Sequence, residues 1–251
     1  MRDMLALALV VWLTGCGAST VSGPEPSPAV EVTPSAQDSA DGMEALGGGL
    51  RGLVVGPREH RPVVIALHGR GDHPARFVGL ARTWADVAHV VVPAAMTPHS
   101  KGFSWFHIRA RQDDPSLAAA VAEATRRVVQ LVNSRRSAET PLVVTGFSQG
   151  GMLSFALATR PQPVVDGAVP MGGFLPRGLW PDALPADPAP IFAVHGEADT
   201  VITVDAPRAT VAHLKALGWP VQLETTPDVA HTLTPGMLQR VDVELRAMLS
   251  Q

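Results

Sequence analysis

The chain has 251 residues, of which 46% are hydrophobic and 17% charged, with a formal net charge of −3 and a single cysteine. That content is enough for one globular domain with appendages. The mildly acidic balance offers no basic footprint for nucleic acid, no Cys/His spacing suits structural zinc, and one cysteine excludes an internal disulfide.

At the N-terminus Arg2 precedes an apolar run, 4–13, that is too short to span a membrane as a mature helix and ends in small residues. A charged start, a short apolar stretch and small residues describe a secretory signal over 1–15, with Asp3 as a departure from the usual pattern. The tetrad Leu13-Thr14-Gly15-Cys16 resembles the lipobox of bacterial lipoproteins, in which the cysteine is lipidated and becomes the new N-terminus. An ordinary signal peptide with an incidental cysteine and a buried apolar helix are the rival readings. Acyl chains on Cys16, at about 0.8 kcal/mol per buried methylene, would anchor the protein without a spanning helix. That implies a bacterial cell envelope, and Gly17 after the cysteine points to the outer membrane where there are two. From Cys16 to 49 the composition turns to Ser, Pro, Gly, Ala and acidic residues, which cannot bury enough apolar surface to order themselves, so this stretch is expected to be a tether.

The folded domain is expected over 50–251. Residues 50–55 read as an edge strand, and the continuous apolar runs 62–67 and 88–92 as central strands covered on both faces. Pro115 opens a helix to about 133, with Leu117, Val121, Val128, Leu131 and Val132 on one side. Strands follow at 142–145, 164–169, 191–194 and 221–225. A helix over 204–218 ends at Gly218, and Pro235 starts a last one that runs to the C-terminus. Such alternation predicts an α/β fold with a mostly parallel sheet and helices on both faces, its chemistry gathered at the carboxyl ends of the strands.

The chemistry-bearing residues do follow strands. Gly146-Phe147-Ser148-Gln149-Gly150 lies between the apolar run 141–144 and a helical stretch from Met152, which matches a nucleophile elbow. Glycines two before and two after the serine allow a turn too tight for side chains, and the strained serine is lifted clear of the sheet. After the strand at 191–194 comes His195-Gly196-Glu197-Ala198-Asp199, and after the last strand Ala230-His231. The chain order Ser148, Asp199, His231 is that of α/β-hydrolases, with His231 as base and Asp199 orienting it. Asp205 is a rival acid but stands where a helix cap is expected, and Asp228 is close to His231 on the same loop. His213 reads as a surface histidine and His195 as structural.

An acyl-transfer serine also needs donors for the developing oxyanion. The backbone N–H of Gln149 is one. The loop Leu67-His68-Gly69-Arg70-Gly71-Asp72 supplies the other, with the N–H of Arg70 as the candidate.

Together with Ser104-Trp105-Phe106-His107-Ile108, these motifs make residues 53–249 resemble the phospholipase/carboxylesterase family of α/β-hydrolases, which includes the acyl-protein thioesterases. The resemblance implies an α/β-hydrolase fold and hydrolysis of carboxylic esters or thioesters through a Ser148 acyl-enzyme. Its partner would be a small-molecule or acylated ester substrate, with no metal or organic cofactor. Trp105 and Phe106 are candidates for lining the acyl site, with simple packing as the alternative. Two departures stand out: His107 where members often carry aspartate, and Arg70 where they often carry an apolar residue. A peptidase or polyester hydrolase on the same fold, and a surface binding protein without turnover, remain open at this point.

Overall fold

The computed structural model describes residues 42–107 and 115–251. The signal segment, Cys16 and the tether up to 41 lie outside the described residues, as does Ile108.

An eight-stranded sheet forms the centre, in the order β1-β2-β4-β3-β7-β8-β9-β10. Its strands are β1 (Glu44–Gly47), β2 (Leu50–Val55), β3 (Val63–Leu67), β4 (His89–Pro93), β7 (Leu142–Phe147), β8 (Gly167–Met171), β9 (Ile191–Gly196) and β10 (Val221–Thr226). From β4 to β10 every neighbour is parallel, and β2 alone is reversed, pairing antiparallel with both β1 and β4. A separate hairpin pairs β5 (Thr97–His99) with β6 (Gly102–Ser104).

Burial explains why the central strands read as unbroken apolar runs. All five residues of β3, of β4 and of β8 are buried, because helices cover both faces. Alternate side chains feed two cores. Ile65, Leu67 and Val144 face α2 (Pro115–Arg135), α3 (Gln149–Ala158) and α4 (Asp205–Ala216). Val64, Ala66 and Val143 face α1 (Pro74–Ala81) and α5 (Pro235–Leu249). Each such valine, leucine or isoleucine contributes about 1.5–3 kcal/mol by leaving water. No helix among the described residues is long and apolar enough to cross a membrane.

Several elements differ from the sequence reading; the strand expected at 164–169, for one, spans Gly167–Met171. Residues 50–55 are not the sheet's edge, because Glu44–Gly47, inside the stretch read as a tether, pairs outside them. Leu46 is buried in the core there and its carbonyl accepts from the Arg135 guanidinium at 3.0 Å and from Ser134 Oγ at 3.4 Å, so core packing and long-range hydrogen bonds from α2 order a segment that is polar and glycine-rich by composition. Helix α1 and the β5–β6 hairpin were not anticipated. Helix α1 is only eight residues long and starts at a proline, with His73 rather than a conventional cap residue accepting from Ala75 N–H at 3.1 Å.

Candidate active site

The parallel register of β3, β7, β9 and β10 brings the ends of all four strands to one edge of the sheet. Ser148 follows β7 directly and has φ +57°, ψ −112°, a conformation that costs a non-glycine residue about 1–3 kcal/mol. The surroundings hold it there. Its N–H donates to Met171 O at 2.9 Å, and its carbonyl accepts from Met152 N–H at 3.0 Å. A Cβ at Gly146, in β7, would stand 2.7 Å from Gly150 C, and one at Gly151 2.6 Å from Met171 O, so α3 approaches β7 and β8 only because these positions are glycine. Ser148 occupies the N-cap position of α3, yet its hydroxyl makes no capping bond and is free for another partner.

That partner is His231. Its Nε2 lies 2.9 Å from Ser148 Oγ, and its Nδ1 lies 2.6 Å from Asp199 Oδ2. A carboxylate only accepts, so Nδ1 carries the proton and Nε2 presents a lone pair to the serine hydroxyl. Phe147 packs against the imidazole at 4.8 Å between ring centroids. The Asp199 carboxylate is buried. Its Oδ1 accepts from the N–H groups of Val201 and Ile202 at 2.8 and 2.9 Å, which fixes its orientation.

Beneath Asp199 lies His195, fully buried, with Nε2 2.8 Å from Ile202 O and 3.3 Å from Asp199 Oδ2. Both neighbours are acceptors, so Nε2 holds the proton and the buried Nδ1 has no partner. Burial, opposed by the Ile202 hydrogen bond and the Asp199 charge, lowers its proton affinity and keeps it neutral.

Of the rival residues, Asp205 is exposed and sits in the first turn of α4, with Val204 at the cap position, so it neither caps the helix nor reaches His231. Asp228 lies on the loop before His231 with φ +57°. His213 is half-buried rather than a free surface residue. It stacks on Trp180 at 4.4 Å between centroids, and its Nε2 lies 2.9 Å from Pro181 O.

The loop after β3 passes beside the elbow; a Cβ on Gly69 would stand 3.6 Å from Ser148 Cβ. The N–H groups of Gly71 and Asp72 are engaged, by Phe103 O at 2.7 Å and Gly69 O at 3.2 Å. The N–H of Arg70 has no acceptor among the described residues, and the N–H of Gln149, at the first position of α3, has none within the helix. Both candidate oxyanion donors are thus unspent next to Ser148.

Trp105 and Phe106 depart from the expectation that they line the acyl site. They are 2% and 5% exposed, belong to the core, and are absent from the lining of the cleft at Ser148. Packing and hydrogen bonding place them behind the elbow. The Gln149 side-chain amide, buried, donates to Phe106 O at 2.7 Å and accepts from Trp105 N–H at 3.0 Å, while Ser104 Oγ lies 3.1 Å from its Oε1. The Trp105 indole N–H donates to His68 O at 2.9 Å, and the two rings lie 5.3 Å apart. Trp105 therefore ties the segment carrying Gln149 to the segment carrying Arg70. Sequence reading assigned Gln149 through its backbone alone; the only local hint of the side chain's part was a polar residue opening an otherwise apolar helix.

The cleft itself has a volume of about 860 Å³ and is open to solvent at Ser148 and His231. Its walls come from Arg70, Phe77 and Leu80 on one side and Leu233 and Leu238 on the other. Among the described residues no group of three or more His, Cys, Asp or Glu side chains is placed to hold a metal ion.

A parallel sheet bearing an elbow serine hydrogen-bonded to a histidine and a buried aspartate defines an α/β-hydrolase. The profile of the phospholipase/carboxylesterase family matches residues 52–249, and the chain belongs to that family and is a hydrolase. Acyl-protein thioesterase 1 of Gibberella zeae is 23% identical over 76% of this chain and 92% of its own. The protein of the same name from Yarrowia lipolytica is 31% identical over 58% of this chain and 73% of its own. The crystal structure of Zea mays acyl-protein thioesterase 2 superposes with a TM-score of 0.67, covering 78% of this chain and 98% of that one at 24% identity, which speaks to the fold alone.

Proposed function

We propose that the protein hydrolyses carboxylic esters, and thioesters by the same steps, through an acyl-enzyme on Ser148. The observation that carries this reading is the unbroken hydrogen-bond line from Ser148 Oγ through His231 to the buried Asp199 carboxylate. Ser148 Oγ attacks the carbonyl carbon as its proton passes to His231 Nε2, and Asp199 stabilises the imidazolium that forms. The N–H groups of Arg70 and Gln149 receive the oxyanion. Collapse of the tetrahedral intermediate breaks the bond to the leaving oxygen or sulfur, which takes the proton from His231. Water, deprotonated by the same histidine, then releases the acid and restores the serine.

A fluorophosphonate probe tests the reading. It should label wild type and not Ser148→Ala, and the variant should lose at least about a thousandfold in ester turnover. Equal labelling of the two would remove the proposal. Paired oxygen and sulfur esters of one acyl group measure which leaving atom is preferred.

The position of Cys16, the one cysteine of the chain, at the end of a short apolar run supports anchoring of the domain to a bacterial envelope membrane by lipid on that residue. Cys16→Ser should shift the protein from the membrane to the soluble fraction, and unchanged retention would refute the anchor.

A further inference from the structure

The steps above leave one charged side chain in the cleft without a task. Arg70 is exposed at the cleft wall, and among the described residues its guanidinium has no hydrogen-bond or ion-pair partner. Arg76, which also lines the cleft, differs. Its Nε lies 3.0 Å from Asp72 Oδ1 and its Nη2 donates to Gly71 O at 3.3 Å. Asp72 Oδ1 additionally accepts from His73 N–H at 2.8 Å. Asp72 is the one carboxylate among the residues lining the cleft, and it is already paired. Among the described residues the lining therefore carries one uncompensated positive charge, on the residue whose own N–H faces the reacting carbonyl in the proposed mechanism.

Two consequences follow. A guanidinium without a partner in a concave site recruits an anion, through forked hydrogen bonds as well as charge. Its attachment point sets the spacing: the anion must lie within one extended arginine side chain of the scissile carbonyl. The same cleft is also lined by Phe77 and Leu80 from α1 and by Leu233 and Leu238, which pack in one apolar cluster, so it offers apolar surface as well as the charge. A neutral ester uses only the second feature, and a small anion only the first.

We propose that the preferred substrate of the Ser148 site is an amphiphilic ester bearing an anionic group close to the scissile carbonyl, held by Arg70, with an apolar chain lying between α1 and the 231–238 segment. This deepens the Ser148 hydrolase reading and rests on it. The anion can belong to the acid half or to the alcohol half of the ester.

Matched pairs separate the two sources. The full chain is assayed on a 4-nitrophenyl alkanoate against the 4-nitrophenyl hemiester of a dicarboxylic acid of equal length. It is also assayed on acyl esters of 4-hydroxybenzoate against those of methyl 4-hydroxybenzoate. The anionic member of at least one pair should be favoured in kcat/KM by about three- to tenfold, the range for a charge-assisted contact at a partly exposed site. Arg70→Leu should bring that ratio to one or below, and Arg70→Lys should keep part of it. At about 1 M salt, where the screening length is about 3 Å, the wild-type ratio should shrink. A wild-type ratio at or below one in both pairs overturns the proposal, as does a ratio unmoved by Arg70→Leu. Should that variant fail to fold, a salt-independent wild-type ratio overturns it equally. Absence of turnover on every ester, with no fluorophosphonate labelling, would instead sink the hydrolase reading itself.

Discussion

On one side of Ser148 the β5–β6 hairpin and residues 104–106 lock against the elbow through buried polar contacts; on the other, α1 and the 231–238 segment line the cleft with the buried Phe77 and the half-buried Leu80, Leu233 and Leu238. The first wall has its amide, indole and hydroxyl groups satisfied inside the protein, so it holds Gln149 and the Arg70 loop in place. The second wall is lined mainly by apolar side chains of α1 and the 231–238 segment. A hydrolase needs both, since preorganisation and accommodation place opposite demands on the same surface. Dividing them between two sides of one serine lets each be built separately.

The sharpest way to break this contrast is at Gly150, where α3 meets the backbone of β3. A Cβ there would overlap Leu67 O, which cannot move aside as a side chain can. Gly150→Ala should cost about 3 kcal/mol or more, or abolish folding, as read by urea unfolding. Loss of under 1 kcal/mol would mean that the rigid side is not tightly packed.

Gln149→Leu keeps the shape and the backbone N–H but leaves Trp105 N–H without its acceptor and Phe106 O with only the Ser104 hydroxyl as donor. A cost of about 1–3 kcal/mol is expected, with kcat falling more than KM changes because an oxyanion donor loses its support. Thermal melts and steady-state kinetics on one neutral ester check both parts.

Acid should act on the same side. Burial lowers the proton affinity of His68 and of His195 below the ordinary value of 6.5. In the unfolded chain these histidines titrate near that ordinary value, so acidification protonates the unfolded state first. Their contribution is intact above about pH 6.5 and falls as pH drops below it, by up to about 1.4 kcal/mol per pH unit for each histidine. Urea midpoints measured across this range, compared with those of His195→Asn, test it; identical slopes would clear His195 of any part.

On the open wall the effect on stability should be smallest. Leu233→Ala, at a half-buried site, is expected to change unfolding free energy by about 1 kcal/mol or less while shifting preference towards longer or bulkier apolar chains. An unchanged chain-length profile would show that the apolar chain lies elsewhere.

Much of this architecture was legible before any coordinates. The elbow at Ser148, the order of Asp199 and His231, and the parallel α/β layout are each encoded within a few residues, by apolar runs, glycines and the positions that follow strands. Strand 44–47 was not legible, because what orders it is a packed Leu46 and a bond from Arg135, 89 positions away. The hairpin at 97–104 and the eight-residue α1 were too short for periodicity to declare them.

The same distinction governs the site. By itself the sequence singled out Ser148, Asp199 and His231, since a strained turn and strand-end loops are local properties of the chain. Tertiary structure alone decided which side chains line the cleft beside Ser148. Trp105 and Phe106 look in sequence like loop aromatics free to line a pocket, but the Gln149 amide, 44 and 43 positions further on, draws them into the core. Phe77, Leu80, Leu233 and Leu238 face the cleft because α1 and α5 pack on the same face of the sheet. Pairing between distant segments sets which surface of a loop is dry, and no local pattern of residues carries that information.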